Sequence, residues 1–298
     1  MTILVTGATG FVGERVTNML LQTNRKIRII SRSNTPTFKD LRIMDLTSAN
    51  IPKEIFSGVS DVIHMAGYAH DVRSGKNDEQ YIKLNYEATK DMAEIASQCG
   101  VTNFIFLSST KAGKDDHIVT SVEEAEGIYG KSKRLAELAL IEIASKSNMR
   151  VNIIRPALIY GPNVKGNLSS MIKGIRQGWF PPLPETNNSR SMVHVDDVAN
   201  SILFLMTNES LNKQILNVTD NKDYSSSEIY DTLCNILEKR IRKIRFPYLL
   251  FKVISHLHPS IKYKVNKLLG SETYSCSKLL SYGFKPEKTL KQINETIY

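Results

Sequence analysis

The chain has 298 residues, 41% of them hydrophobic and 23% charged, which is enough to bury a full core and excludes a disordered or fibrous protein. Its formal net charge of +9 suits a nucleic acid, an anionic membrane surface or an acidic small substrate, and charge alone does not choose among them. Cys99, Cys234 and Cys276 stand far apart with no metal-ligand or redox spacing, so the thiols read as buried or incidental.

The N-terminus enters a strand-like run at Thr2 to Val5 without a basic region, a long apolar stretch or a cleavage signal, so a cytoplasmic location is expected. Short Ile- and Val-rich runs follow in order: Ile3 to Thr6, Ile27 to Ser31, Asp61 to Met65, Asn103 to Ser108 and Val151 to Arg155. Between them Glu14 to Gln22, Tyr81 to Gln98 and Tyr129 to Ser147 carry apolar residues at helical spacing. Such alternation predicts an α/β fold, a doubly wound parallel sheet of Rossmann type with helices on both faces.

From Tyr160 to Ser191 the chain turns loop-rich, with Gly161, Pro162, Gly166, Pro181, Pro182 and Pro184. A strand at Ser191 to Val195, a helix at Asp197 to Met206 and a strand at Gln214 to Val218 then resume the alternation. The expected division is a nucleotide-binding domain of residues 1–160 plus 191–220, and a smaller C-terminal substrate lobe of residues 161–190 plus 221–298. Two lobes imply a cleft. The basic run Lys239, Arg240, Arg242, Lys243 and Arg245 reads as a solvated helical face. Tyr248 to Ile254 is apolar but too short to span a bilayer, and either lines the second lobe or rests on a membrane surface.

The first strand runs into Gly7-Ala8-Thr9-Gly10-Phe11-Val12-Gly13 and then a helix. Glycines there permit a tight turn and close backbone approach to a pyrophosphate, while the helix N-terminus offers N–H groups to the anion. About 20 residues on, an acidic residue would hold the ribose 2′-hydroxyl of NAD. The second strand instead ends Ile29-Ile30-Ser31-Arg32, so Arg32 is a candidate partner for a 2′-phosphate and NADP(H) is the expected cofactor. Asp45 and the adjoining Leu46 are candidates for the adenine region, with turn capping also open to Asp45.

Tyr129 and Lys133 lie four residues apart on one helical face. A tyrosine titrates near 10 when free, and a neighbouring cation would make it an acid or base nearer neutrality. Ser108 and Ser109 end a strand where loops of an open sheet gather over a cofactor, and Ser109, with Thr110 beside it, can hydrogen-bond a substrate oxygen. The catalytic set is therefore Ser109, Tyr129 and Lys133. His64, His70 and His194 complete no metal-ligand pattern, so no metal is expected. His64 and His194 read as packing or supporting residues, and His70, in the polar loop Tyr68 to Asp78, as an exposed loop residue or a contact to a substrate hydroxyl. Arg190 suits a diphosphate or a structural ion pair, and Asn167 a diphosphate or a plain turn.

With Thr6 to Gly13 stand His64-Met65-Ala66-Gly67, Asn85, Ser108-Ser109, Tyr129 to Lys133, Arg155-Pro156, Tyr160-Gly161-Pro162 and Arg190 to Asp197. Over nearly its whole length the chain resembles the NAD-dependent epimerase/dehydratase family of extended short-chain dehydrogenases. The resemblance implies that Met65, Ala66, Gly67 and Pro156 line the cofactor, that Asn85 supports the active site and that Asn167 and Arg190 meet the diphosphate of a UDP-sugar. It also implies pairing of two copies through the helices after Asn85 and Tyr129. Dehydratase members carry an acid pair directly after the hydroxyl residue, where this chain has Thr110-Lys111.

The stretch Gly161 to Asn167 and the lobe with Gly283-Phe284-Lys285-Pro286 look like those of bacterial 4-keto-sugar reductases. These imply NADPH-dependent reduction at C4 of a UDP-linked 2-acetamido-2,6-dideoxy-4-keto-hexose, for surface polysaccharide synthesis. A nucleotide-sugar 4-epimerase is the alternative within the family. A non-catalytic Rossmann protein that senses nucleotides or binds RNA is the alternative of another class. The intact catalytic set argues against that last reading, and no nucleic-acid partner is expected.

Overall fold

Ten strands and ten helices are distinguished in a computed structural model that describes residues 1–35, 37–48, 50–69, 78–114, 116, 121–240, 245, 247–255 and 259–292. In chain order they are β1 (Thr2–Thr6), α1 (Phe11–Leu21), β2 (Lys26–Ser31), β3 (Leu41–Ile43), β4 (Val59–His64), α2 (Asp78–Tyr81), α3 (Ala88–Gln98), β5 (Asn103–Leu107) and α4 (Gly127–Ser145). There follow β6 (Arg150–Pro156), β7 (Leu158–Tyr160), α5 (Asn167–Gln177), β8 (Arg190–His194), α6 (Val195–Thr207), β9 (Gln214–Val218) and β10 (Asp223–Tyr224). The last helices are α7 (Ser226–Ile236), α8 (Tyr248–Ser255), α9 (Pro259–Leu269) and α10 (Ser277–Ser281).

Seven strands form one sheet in the order β3-β2-β1-β4-β5-β6-β9, every pair parallel. Parallel strands need crossovers, and helices laid on the sheet bury the β-branched runs on both faces. Every residue of β1 is buried, as are Val62, Ile63, Phe104, Phe106, Val151 and Ile153. This is the doubly wound Rossmann fold that the alternation predicts. The order reverses between β1 and β4, and ligands of such sheets bind outside the strand C-termini at that reversal.

The chain divides into two units: residues 1–156, 198–218 and 275–285, and residues 157–197, 219–274 and 286–298. These bounds differ from the sequence expectation for two physical reasons. β7 and β8 pair with each other and β8 with β10, in a separate three-stranded sheet, so 157–160 and 191–197 join the second unit. Residues 275–285 join the first, where Lys278 Nζ of α10 donates to the carbonyl of Ile215 in β9 at 3.3 Å. The second unit has its own core, including Tyr160, Leu168, Leu183, Met192, Tyr224 and Leu233.

Tyr81 to Gln98 was expected as one helix, and a π turn at Ile82–Glu87 separates α2 from α3. Such turns re-aim side chains within a helix and recur at functional sites. This one carries Asn85, fully buried.

Candidate active site

Gly7 leaves β1 with φ +71°, and a Cβ there would sit 2.6 Å from the Ala66 nitrogen and the Met65 carbonyl carbon. At Gly13 a Cβ would lie 1.9 Å from the Gly7 oxygen. Both positions therefore demand glycine, and together they draw α1 and the end of β4 tightly onto the turn. The turn closes through Gly10 N–H donating to the Gly7 carbonyl at 2.9 Å. Gly10 is the N-cap of α1 and offers no capping side chain, so the helix presents its first N–H groups as an anion site. Thr9 is exposed, Phe11 half-buried and Val12 buried.

Arg32 is exposed just beyond β2. Asp45 accepts from the N–H and the hydroxyl of Thr47, at 2.9 and 2.8 Å. These bonds, with Arg32 and Lys83 nearby, hold its carboxyl below the usual range. Asp45 thus takes the turn-capping role that its sequence left open, while Leu46 is buried in the core.

Behind the turn, His64 is fully buried between two threonines. Thr6 Oγ lies 2.8 Å from Nδ1 and Thr89 Oγ 2.9 Å from Nε2. Thr6 Oγ accepts from Ala66 N–H and Thr89 Oγ donates to the Asn85 carbonyl, which fixes a neutral ring with its proton on Nε2. Burial, and then the Lys133 charge, push His64 down to about 3. A group whose folded pKa is depressed stabilises the fold above its unfolded value near 6.5, and that contribution is lost as pH falls towards 3. Stability should therefore fall with acid below about pH 6.5 by up to about 1.4 kcal/mol per pH unit from this residue. A His64→Gln variant should show a shallower fall in urea-denaturation titrations, and an unchanged slope would exclude His64 as a cause.

Asn85 joins three segments. Its Nδ2 donates to the Tyr68 carbonyl and to Ser132 Oγ, each at 3.0 Å, and its Oδ1 accepts from Tyr68 N–H at 2.7 Å. Tyr81 packs edge-on to Tyr68 and to Tyr129, at centroid distances of 4.8 and 6.2 Å.

α4 begins where Gly130 meets the loop after β5. A Cβ at Gly130 would stand 2.2 Å from the Lys111 carbonyl oxygen, so only glycine lets the helix start this close to the serine loop. That oxygen also accepts from Glu126 N–H at 2.9 Å, and the Lys111 ammonium pairs with the Glu126 carboxylate. Ser109 caps a short 3-10 turn at Thr110–Ala112 by accepting from Lys111 N–H at 3.2 Å. Burial raises the Tyr129 phenol above 10, the nearby Ser109 hydroxyl pulls it back, and Tyr81 raises it further. Thr110 is buried and its Oγ donates to the Pro156 carbonyl at 3.3 Å.

Lys133 donates to the Leu107 carbonyl at 2.8 Å and stands over the Phe106 ring at 4.5 Å. Its position beside Gly67 shows in the Cβ test, where a side chain at Gly67 would meet Nζ at 3.0 Å and Asn85 Oδ1 at 3.1 Å. Burial lowers Lys133 to about 7, with Glu137 acting in the opposite direction. In this arrangement the ammonium faces the Leu107 carbonyl.

Sequence reading missed the support under this set. Glu137 is fully buried and accepts from Ser108 Oγ at 2.5 Å, from Arg155 Nε at 2.7 Å and from Arg134 at 3.2 Å, with a second, shorter bond to Arg155. The available signal was spacing: Tyr129, Lys133 and Glu137 recur every four residues along one face of α4. Arg155 also donates to the Gly113 carbonyl at 3.2 Å.

Ser109, Thr110, Tyr129, Lys133, Asn85, Gly67 and Pro156 are thus brought together in the first unit, with Met65 and Ala66 beside the glycine turn. In the second unit, Asn167 is exposed as the first residue of α5. Arg190 is buried there, donating to the carbonyls of Lys267 and Gly270 and, at 3.2 Å, to Glu272, which is the ion-pair arrangement its sequence left open. His70 lies outside the described residues. His194 is buried in the second unit, its Nδ1 accepting from Asp196 N–H at 3.1 Å. Among the described residues no cluster of side chains could hold a metal ion.

A Rossmann sheet with a glycine turn at its reversal point, and with Ser109, Tyr129 and Lys133 beside it, defines a nucleotide-binding fold of the extended short-chain dehydrogenase type. A family profile described as NAD dependent epimerase/dehydratase matches residues 3–219. The chain is similar to a UDP-glucose 4-epimerase of Vibrio cholerae, 30% identical over 98% of this chain and 92% of that protein. It is also 24% identical to an N-acetyl-alpha-D-glucosaminyl-diphospho-ditrans,octacis-undecaprenol 4-epimerase of Escherichia coli O157:H7, over 97% and 92% of the two chains. Among solved structures it resembles the UDP-glucose 4-epimerase of Thermotoga maritima with UDP-glucose, with TM-score 0.78, 19% identity and coverage of 98% and 96%. The chain belongs to the NAD-dependent epimerase/dehydratase family.

Proposed function

We propose that the protein is a nicotinamide-dependent oxidoreductase acting at C4 of a UDP-linked sugar, and that its net reaction is NADPH-dependent reduction of a 4-keto-6-deoxy-N-acetylhexosamine. The observation that carries the redox reading is that the Ser109 loop is held against the start of α4, where Tyr129 lies with Lys133 buried on the same helix face. The glycine turn and the uncapped N-terminus of α1 fit a dinucleotide pyrophosphate. Gly7 and Thr9 to Gly13 would hold it, with Arg32 at the 2′-phosphate, Asp45 and Leu46 at the adenine region, and Met65, Ala66, Gly67, Asn85, Lys133 and Pro156 along the remainder. A nicotinamide cofactor bound there supplies the hydride.

Tyr129 gives its proton to the oxygen that becomes the C4 hydroxyl, and Ser109 holds that oxygen as charge develops. Lys133, lowered to about 7, exchanges protons readily near neutrality and restores the tyrosine proton. Thr110 would meet the substrate beside Ser109. Asn167 meets the substrate diphosphate, and Arg190 does so by exchanging the Glu272 carboxylate for it.

The choice of net reduction rests on Arg32, in a position where no carboxylate ends β2. NADPH should bind more tightly than NADH, and Arg32→Ala should erase the difference. Dissociation constants that favour NADH, or an unchanged NADPH affinity in the variant, would remove this support. The second reading is a 4-epimerase, and the likeness to the Vibrio cholerae protein favours it. Incubation with NADPH and a UDP-4-keto-6-deoxy-N-acetylhexosamine, with the product assigned by NMR, separates the two: the reductase yields the 4-hydroxy sugar, whereas recovery of unchanged ketone counts against it.

A further inference from the structure

One segment of the second unit is unused by the chemistry above. From Lys239 to Ser271 the sequence holds nine lysines and arginines and no aspartate or glutamate. Since the whole chain carries +9, the rest of it is formally neutral and this segment holds the entire excess. Within the segment, α8 and α9 pack against each other. Phe251 of α8 and Leu268 of α9 turn towards the core of the unit. Leu249, Leu250 and Val253 do not: they are 71%, 39% and 64% exposed. Positions 249, 250 and 253 are spaced i, i+1 and i+4, so they form one apolar stripe along the outer face of α8. The basic residues Lys239, Arg240 and Lys262 are likewise exposed.

We propose that this segment docks on an anionic phospholipid surface, with Leu249, Leu250 and Val253 entering the boundary between headgroups and acyl chains and the exposed cations of the segment meeting the headgroup phosphates. A helix lying in the interface takes this form, with an apolar stripe flanked by lysine and arginine. Among the described residues no helix is long and apolar enough to cross a membrane, which is consistent with a surface contact. Charge complementarity selects the occupant. Nucleic acid would use the cations but gains nothing from exposed leucine side chains, since its affinity comes from phosphate neutralisation. A second copy of the chain would bring the same basic segment against this face, where like charges repel.

The test is co-sedimentation of the intact protein with vesicles of phosphatidylcholine alone and of phosphatidylcholine containing phosphatidylglycerol, at low and high salt. Binding is expected only to the anionic vesicles and should weaken with salt. Each cation lost at such a surface is worth about fivefold in affinity, so Lys239→Glu, Arg240→Glu and Lys262→Glu combined should lower binding by about 10²-fold or more. Leu249→Glu with Val253→Glu should lower it about tenfold or more at unchanged charge elsewhere. These positions are exposed, so circular dichroism and melting should match the parent. The wild-type comparison decides even where a variant misfolds. Failure to sediment with anionic vesicles, equal binding to phosphatidylcholine alone, binding to single-stranded RNA in place of vesicles, or self-association abolished by the Leu249→Glu pair would each overturn the proposal.

Discussion

Tyr129→Phe should cut turnover by on the order of 10²-fold or more, with cofactor affinity nearly unchanged. The substitution removes the phenol hydroxyl and keeps the ring that packs edge-on to Tyr81. Burial holds the phenol protonated across the neutral range, so the group begins as a proton donor. Thr110, beside Ser109, has its own hydroxyl committed to the Pro156 carbonyl. Steady-state rates and a cofactor titration on the same preparation check this. Turnover within a few-fold of the parent would remove Tyr129 from the mechanism.

The second large effect is on stability. Glu137 shares its carboxylate between the fully buried Arg134 and Arg155, and it also receives the Ser108 hydroxyl. Glu137→Ala removes the carboxylate that both buried guanidinium groups share, and breaking a buried ion pair by removing one partner typically costs about 3–5 kcal/mol. In a chain of this size the melting temperature should fall by on the order of 10 °C. Thermal unfolding measures it, and a loss below about 1 kcal/mol would mean that water or a neighbouring carbonyl takes over the role. Residual folded enzyme should also turn over more slowly, because Ser108 is the residue through which the cluster holds the Ser109 loop.

The sheet was legible because its signal is local. Five Ile- and Val-rich runs separated by helical spacing allow few arrangements, and strands buried on both faces leave little else that such runs can form. The glycine turn was legible for the same reason, since Gly7 and Gly13 answer a backbone collision that no side chain tolerates. Pairing between strands distant in sequence was not legible. β8 reads as a continuation of the large sheet, yet Leu158–Tyr160 and Asp223–Tyr224 compete for its edges and place it in the smaller one.

The candidate site divides in the same way. Tyr129 and Lys133 are neighbours on one helix and can be read from spacing, as can Ser109 at a strand end. Glu137 and its arginines come from α4 and β6 and meet only in the folded core. The direction of the Lys133 ammonium, towards Leu107, depends on burial over Phe106, which no spacing records. Arg190 could serve substrate or structure from its sequence, and its bonds to Lys267, Gly270 and Glu272 depend on where α9 lies.

The central claim is hydride chemistry at C4 with a cofactor that is consumed. It is tested most directly by following NADPH absorbance while a UDP-4-keto-6-deoxy-N-acetylhexosamine is converted, and by watching UDP-glucose and UDP-N-acetylglucosamine pools without added cofactor. The account predicts one NADPH oxidised for each ketone reduced, and slow or absent interconversion of either pool with its 4-epimer. Epimer interconversion with no NADPH consumed would contradict net reduction and establish the epimerase reading in its place.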